Sequence, residues 1–124
     1  MTIRIEIGAT QAGAPATLDL EELLATRLLV QGNSGSGKSH LLRRLLEQSA
    51  PWVQQAVIDP EGDFVTLGDR FGHLVLDAAE SGIAGLKRAA EGVRRHRVSV
   101  VLNLENLEVD SQLRHAAAFL DGLF

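Results

Sequence analysis

The sequence predicts an α/β domain in which helices cover both faces of a mainly parallel sheet. Short apolar runs of strand length alternate with longer segments of helical spacing along the 124 residues, which is typical of three-layer α/β domains. Hydrophobic residues make up 45% of the chain and charged residues 23%, as in an ordinary globular protein. The length corresponds to one domain with a modest core.

The beginning of the chain is expected to be rich in β-structure. Residues 2–7 (TIRIEI) alternate in the manner of a half-buried strand, and residues 8–16, which contain Gly and Pro, predict a turn or loop. Residues 18–27 fit either a short strand or a helical turn. We therefore expect residues 1–24 to form a β-rich lead-in segment and residues 25–124 to form the core.

A strand, a glycine-rich loop and a helix are predicted to follow in direct succession. Leu28–Gln31 is an apolar run that ends at a glycine, which is typical of a buried parallel strand. Leucines at helical spacing predict a helix over Lys38–Ser49, and Pro51 ends it. The loop between the strand and the helix is therefore expected at the edge of the sheet.

The second half of the chain continues the alternation. Three further apolar runs predict strands at residues 54–58, 73–77 and 98–104. Residues 81–96 predict a helix that three glycines weaken. Asp110 or Ser111 is expected to cap a last helix, whose apolar residues include Leu113, Ala117 and Leu120.

Composition and charge exclude several classes of function. The net charge of −4 argues against nucleic-acid binding based on bulk positive charge, although a local basic patch stays possible. The absence of cysteine excludes disulfides, thiolate catalysis and Cys-based zinc sites, and the four histidines lack ligand spacing. The alternating N-terminal residues do not fit a signal peptide or a membrane span, so we expect a cytoplasmic protein without a membrane partner.

The loop before the helix carries the strongest functional signal. Residues 32–39 (GNSGSGKS) fit the pattern G-x-x-x-x-G-K-[ST] at every fixed position, between an apolar run and a helical pattern. Such a loop needs glycine because backbone N–H groups must curl around a phosphate, and the N-terminus of the helix faces the same anion. The predicted ATP-binding residues are Gly32, Asn33, Ser34, Gly35, Ser36, Gly37, Lys38, Ser39 and the adjacent His40.

Two of these residues have predicted chemical roles. Lys38 would bridge the β- and γ-phosphates as a mobile positive charge, and the Ser39 hydroxyl would complete the shell of a Mg²⁺ ion. The alternative is a flexible strand-to-helix turn that matches the pattern by chance. The surrounding strand and helix patterns favour nucleotide binding, so ATP and Mg²⁺ are the expected cofactors.

The loop and a second stretch together resemble a known family. Residues 57–64 (VIDPEGDF), at the end of the strand after the loop helix, pair with GNSGSGKS in a way that is similar to the HerA/FtsK-type P-loop ATPases, in particular the HerA and VirB4-like branch. Residues 98–107 (VSVVLNLENL) resemble a further strand of that family, with Asn103 where the family usually has an aspartate. The resemblance extends from Ile3 to the C-terminus.

The resemblance implies a RecA-like ASCE core that works as a hexameric ring, with ATP at the subunit interfaces and DNA in the central pore. It also allows a nuclease partner. In the family, the Walker B strand, the catalytic glutamate, the sensor and the arginine finger of the neighbouring subunit follow after the last segment present here. We therefore expect this chain to be the N-terminal portion of a longer ATPase, truncated before Walker B.

An acidic residue at the end of a strand is the remaining candidate for catalysis. Asp59 is best placed, because the carboxyl ends of parallel strands gather at the ligand crevice, and it is predicted as a catalytic and magnesium-binding residue. Glu61 beside it and Lys38 of the glycine-rich loop are the other predicted catalytic residues. Asp77 and Glu105 end two other apolar runs and are weaker candidates. The alternative for Asp59 is a structural Asp-Pro turn.

Three functions fit these residues. The first is the ATP-binding segment of a HerA-like DNA-translocating ATPase or helicase, which hydrolyses ATP only when completed by a downstream Walker B motif and a neighbouring subunit. The second is a small P-loop kinase that uses the basic residues 94–97 as a lid over ATP. The third is a truncated module that binds nucleotide without turnover.

Overall fold

The computed structural model describes residues 2–33 and 35–124. The chain divides into two compact units, Met1–Val53 and Gln54–Phe124. The described part of the first unit contains an antiparallel two-stranded sheet, and the second contains a three-stranded parallel sheet. The predicted α/β class is confirmed, and the parallel sheet is compatible with a P-loop NTPase-like fold. The three-layer RecA-like arrangement and the boundary after residue 24 stay predictions.

The first unit is a β-hairpin followed by two helices. Its elements are β1 (Arg4–Ala9), β2 (Pro15–Asp19), α1 (Leu20–Ala25) and α2 (Lys38–Ser49). Helix α2 has the predicted bounds, and residues 18–27 turn out to combine the end of a strand with a helix. The carboxylate of Asp19 caps α1 by accepting a hydrogen bond from the Glu22 N–H at 3.2 Å.

Helix α2 is tied to the hairpin of the same unit. The Arg44 Nε donates a hydrogen bond to the Glu6 carbonyl of β1 at 3.2 Å, next to the irregular register between Glu6 and Gly8. Ile5 of β1 and Leu20 at the start of α1 are buried. The helix that follows the glycine-rich loop is therefore fixed to a local scaffold.

The prediction of a strand at Leu28–Gln31 is wrong. These residues adopt neither strand nor helix, and the side chain of Leu29 is 76% exposed. A strand exists only where its backbone groups pair with a neighbour, and apolar sequence alone does not supply that neighbour. Within the described residues, the first unit's only paired strands are β1 and β2.

The described second unit contains the parallel sheet and three helices. Its elements are β3 (Ala56–Asp59), α3 (Leu67–Phe71), β4 (Leu74–Asp77), α4 (Ala78–His96), β5 (Val100–Asn103) and α5 (Val109–Leu123). The strand order is β3-β5-β4, so β5 pairs on both sides. All four residues of β5 are buried, which explains the nearly continuous apolar sequence of this strand.

The core of the second unit lies between the sheet, α4 and α5. Val100 and Leu102 from β5 pack with residues of both helices, and Phe119 of α5 is fully buried among them. Gly122 of α5 approaches the backbone of α4 closely, since an added Cβ would lie 2.5 Å from the Lys87 carbonyl oxygen. These contacts use the face of α5 that includes Ala116 and Leu123.

Two helix boundaries differ from the prediction. Helix α4 begins at Ala78 because the Asp77 carboxylate accepts a hydrogen bond from the Ala79 N–H, and Gly82 interrupts the helical backbone with φ 70°. The prediction that Asp110 or Ser111 caps α5 is wrong. The Glu108 carbonyl accepts the first helical hydrogen bond, from the Gln112 N–H at 2.8 Å, so the cap lies at residue 108.

A buried histidine, His73, pairs with Gln55 where β3 and β4 begin. His73 is 4% exposed, and its Nε2 lies 2.7 Å from the Gln55 Oε1. Burial lowers the pKa of His73 below its ordinary value of 6.5, against a smaller opposing effect of the Leu67 backbone. The neutral imidazole with its proton on Nε2 can donate to Gln55, which is consistent with a buried Nδ1 that accepts no hydrogen bond from the described residues.

No helix in the described ranges combines the length and the apolarity that are needed to cross a membrane.

Candidate functional site

The backbone of the glycine-rich loop adopts conformations that favour glycine. Gly35 has φ 81° and Gly37 has φ 88°, both in the left-handed region. At Gly32 the constraint is space, because a Cβ there would overlap the Ser36 side chain. The backbone conformation therefore favours glycine at positions 35 and 37, and the position of the Ser36 side chain favours it at position 32. Ser34, which the sequence also predicts as a binding residue, lies outside the described residues.

The loop turns around the carbonyl oxygen of Asn33. The Ser36 N–H donates to this oxygen at 3.0 Å, and the Lys38 Nζ donates to it at 3.3 Å. The lysine side chain is thus folded back along the loop and is half-buried. Because this contact joins an ammonium group to a neutral carbonyl, a phosphate oxygen would be a stronger partner for the same lysine.

The start of α2 has the electrostatic character of an anion site. The left-handed Gly37 is the N-cap, and it has no side chain that could cap the helix. Residues 32–41 contain no Asp or Glu, so no carboxylate of the loop or of the first turn neutralises the positive end of the helix. Ser39 and His40 follow in the first turn, and both are exposed.

These residues fit a triphosphate with its magnesium ion. A glycine backbone with left-handed turns, an ammonium group and a helix N-terminus supply donors for anionic oxygens, and the Ser39 hydroxyl is a hard oxygen ligand of the kind that Mg²⁺ prefers. The fit concerns one continuous stretch of the first unit, Gly32 to His40. Asp59 and Glu61 belong to the second unit.

Asp59 ends β3 with a buried side chain that organises the following loop. Its exposure is 1%, and its two carboxylate oxygens accept hydrogen bonds from the N–H groups of Asp63 at 3.0 Å and Phe64 at 2.9 Å. The Asp59 carbonyl also accepts from the Leu104 N–H at 3.0 Å. This geometry is that of the structural turn, which leaves the predicted catalytic and metal-binding roles of Asp59 as proposals.

The strand ends of the parallel sheet form a row of polar residues. Asn103 of β5 is in register with Asp59 on one side and with Asp77 on the other. The Asn103 side chain binds Glu105 twice, by donating from Nδ2 to Oε1 at 3.0 Å and by accepting from the Glu105 N–H at 3.1 Å. The Asn106 Nδ2 lies 3.4 Å from the Asp77 Oδ2. Side chains from all three strands thus organise this edge.

The acidic loop after β3 lies against the loop after β5. Gly62 has φ 76°, and a Cβ there would overlap the Glu105 carboxylate. The Gln112 Nε2 joins the same two loops by donating to the carbonyls of Pro60 at 3.1 Å and Leu104 at 2.9 Å. Glu61 is exposed on this edge. Its predicted role in catalysis stays a prediction.

Sequence reasoning did not identify Gln112 and Asn106 as organisers of this edge. Neither belongs to a motif, and each acts through a tertiary contact more than twenty residues distant in sequence. Asp77 was a weaker candidate for a catalytic acid, and in the structure it caps α4. An Asp between an apolar run and a helical pattern is also a helix-cap signal, which would have identified that role.

The predicted basic cluster at residues 94–97 lies apart from these loops in sequence, at the C-terminal end of α4. Arg94, Arg95 and His96 form the basic last turn of α4, where cations favour the negative end of the helix. The Arg94 guanidinium donates to the Phe124 carbonyl at 3.1 Å. No three His, Asp or Glu side chains of residues 2–33 and 35–124 converge as a metal site would require.

The comparisons with known proteins add one match. The profile of the family described as "Helicase HerA, central domain" matches residues 5–117. The search of curated proteins matches no relative, and the search of solved structures matches none either. The matched range includes the glycine-rich loop and both loops at the carboxyl edge of the parallel sheet.

Proposed function

Because the chain belongs to the family of the HerA helicase central domain, we propose that it is the ATP-binding segment of a HerA-like DNA-translocating ATPase. The observation that carries the proposal is the loop from Gly32 to Ser39, which has two left-handed glycines and leads into a helix whose first turn lacks acidic residues. Membership of this family implies nucleotide use. The assignment of Mg-ATP to this loop is our proposal.

Each residue of the loop has a definite task in this proposal. Lys38, which contacts the Asn33 carbonyl, would hold the β- and γ-phosphate oxygens instead, and the N–H groups at the start of α2 would donate to the phosphates. Ser39 supplies one oxygen to the Mg²⁺ ion, and His40 lies on the outer side of the nucleotide. A magnesium ion held there would supply positive charge to neutralise the transferred phosphoryl group.

Asp59 and Glu61 are proposed to assist hydrolysis. In this role Asp59 contributes an oxygen to the magnesium shell, and Glu61 orients the attacking water. Since both oxygens of Asp59 already accept backbone hydrogen bonds, each would have to use a second lone pair. Turnover on this proposal also needs a Walker B motif and an arginine finger from a neighbouring subunit in a hexameric ring.

The same proposal assigns DNA as the macromolecular partner. The net charge of −4 means that DNA binding would depend on a local surface of an assembled ring and not on the overall charge of the chain. DNA-stimulated ATP hydrolysis by the complete assembly is the measurement that tests this part. A nuclease partner and a cytoplasmic location stay predictions.

One observation favours a second candidate function, a module that binds nucleotide without turnover. The carboxylate of Asp59 is 1% exposed and engaged with two N–H groups, so it is committed to the fold of its own loop. For the 124-residue chain this predicts ATP affinity without hydrolysis. Phosphoryl transfer to an added acceptor would instead support the small P-loop kinase.

The decisive experiment measures Mg-ATP binding to the parent chain and to Lys38→Ala by calorimetry. Loss of a charge-assisted contact predicts an affinity that is about 10- to 100-fold lower. Arg43→Ala is the matched control, since Arg43 lies on the same helix and pairs with Glu47 at 3.4 Å. Ser39→Ala is expected to reduce mainly the magnesium dependence. Equal ATP affinity of Lys38→Ala and the parent would overturn the proposal.

A further inference from the structure

Helix α5 has two apolar faces, and one of them is exposed. The face with Ala116, Phe119 and Leu123 packs into the core. The other face, which we name the α5 stripe, comprises Val109, Leu113, Ala117 and Leu120 of the helix together with its C-cap residue Phe124. At 3.6 residues per turn these five positions fall within an arc of about 80°. The exposed fractions are 70% for Val109, 66% for Leu113 and 89% for Phe124.

The order of side chains along the α5 stripe is nearly the same in both directions. Val109 and Phe124 stand at the two ends, leucines stand inside them, and the small Ala117 lies in the middle. If two such helices align antiparallel about Ala117, Val109 meets Phe124 of the second helix and Leu113 meets Leu120. The stripe is therefore complementary to itself, which is what a two-fold interface requires.

The charges beside the stripe agree with the same alignment. Asp110, Arg114 and Asp121 flank the stripe on one side, with Asp110 one turn before Arg114 on the same helix, and in an antiparallel pair like flanks face each other. Arg114 of one helix then lies opposite Asp121 of the other, twice across the two-fold axis. The Asp121 side chain is 67% exposed while it binds the Lys87 Nζ at 2.7 Å, so it is accessible to a second cation.

We propose that the α5 stripe is a docking surface for a second copy of this chain, in an antiparallel α5–α5 contact centred on Ala117. A helix of 15 residues is about 22 Å long, so the contact is smaller than a standard protein interface. The dimer is therefore expected to be weak and to depend on concentration. The inference rests on α5 alone and does not depend on the proposed nucleotide binding. A two-fold contact uses the same surface on both copies, so it is distinct from the head-to-tail contacts of the proposed hexameric ring.

Disulfide trapping tests the geometry, because the parent chain contains no cysteine. On mild oxidation, Ala117→Cys is expected to form a covalent dimer far faster than Ala25→Cys, the matched control at an exposed alanine in helix α1. Leu113→Cys alone stays monomeric, whereas a mixture of Leu113→Cys and Leu120→Cys gives the mixed dimer. The reason is that linked Cβ atoms must approach to about 4 Å, and only the antiparallel alignment brings positions 113 and 120 together.

Solution measurements complete the test. In sedimentation experiments, Leu113→Glu is expected to abolish the concentration-dependent dimer, and Leu24→Glu, at a residue that is 61% exposed on α1, leaves it intact. Arg114→Glu slows the trapping of Ala117→Cys about 2- to 5-fold at low salt. Lys38→Ala leaves trapping unchanged, which separates this inference from nucleotide binding.

Three results would overturn the inference. Trapping of Ala117→Cys no faster than that of Ala25→Cys would show that no copy docks at the stripe. Rapid self-trapping of Leu113→Cys would indicate a parallel or non-specific contact. A parent chain that stays monomeric at every concentration, with Leu113→Glu lowering its thermal stability, would indicate that another partner or segment covers the stripe.

Discussion

Two loops of this chain each follow an apolar run and precede a helix, but different groups hold them. The loop after β3 contains its own anion, because the Asp59 carboxylate accepts hydrogen bonds from the N–H groups of Asp63 and Phe64. The loop before α2 contains no carboxylate, and its lysine contacts the neutral carbonyl of Asn33 instead. The loop after β3 is complete by itself, whereas the loop before α2 is the one that we propose to bind an anion from outside.

The apolar runs before these loops differ as well. The run that becomes β3 pairs with the buried strand β5, whereas residues 28–31 form no strand and expose Leu29. The two sequences have similar composition, so hydrophobicity does not distinguish them. What distinguishes them is the presence of a partner strand, which satisfies the backbone and covers the side chains.

The largest expected effect contrasts the two runs directly. Leu102→Ala, in the strand that pairs with β3, removes a fully buried side chain and is expected to lower the free energy of unfolding by about 2–5 kcal/mol. Leu29→Ala, at a residue that is 76% exposed, is expected to change it by less than about 0.5 kcal/mol. Urea unfolding followed by circular dichroism measures both, and equal effects would contradict the contrast.

A smaller effect is expected at the loop after β3. Asp59→Ala removes the acceptor of two backbone N–H groups, which predicts a loss of about 1–3 kcal/mol and faster hydrogen exchange at Asp63 and Phe64. Glu61→Ala, at an exposed position of the same loop, is the control and leaves exchange unchanged. Unaltered exchange in Asp59→Ala would mean that the carboxylate does not hold this loop.

The smallest effect is a pH dependence confined to the second unit. Since burial lowers the pKa of His73 in the folded protein, the unfolded chain takes up the proton first as the pH falls below 6.5. Stability is therefore full above pH 6.5 and declines below it, by at most about 1.4 kcal/mol per pH unit for one proton. Urea unfolding between pH 7.5 and 5.5 measures the slope, which His73→Gln is expected to flatten and His96→Gln, at an exposed residue, to preserve.

Local patterns predict much of this fold. The bounds of α2 follow from its leucine spacing and from Pro51. Strands β4 and β5 lie within their predicted apolar runs, and β3 extends one residue beyond its run, to Asp59. The antiparallel pairing of β1 with β2 is harder to predict, because residues 8–16 look like one loop although both strands extend into them. Here the cross-strand partners determine where the loop begins and ends.

Helix α5 illustrates what a single sequence leaves open. Leu113, Ala117 and Leu120 recur at helical spacing, and so do Ala116, Phe119 and Leu123. Only the second set enters the core, since the position of α4 determines which face is covered. When a helix has two apolar faces, its sequence alone does not determine which face is buried.

The candidate site is predictable to a similar degree. The pattern over residues 32–39 identifies the loop because glycine is favoured there by the local backbone conformation, which the sequence itself indicates. Asp59 is identifiable as a residue at the carboxyl end of a strand. Its two hydrogen bonds depend on how residues 60–64 fold back, which no spacing rule describes.

Gly62 has a mechanical consequence for the second unit. Its backbone lies so close to the Glu105 carboxylate that a methyl group would not fit between them, and the Asn103 Nδ2 holds that carboxylate by donating a hydrogen bond to Oε1. A displacement of residues 60–64 would therefore push on the turn after β5, and a displacement of that turn would push back. We therefore expect a change in the conformation of either segment to change the conformation of the other.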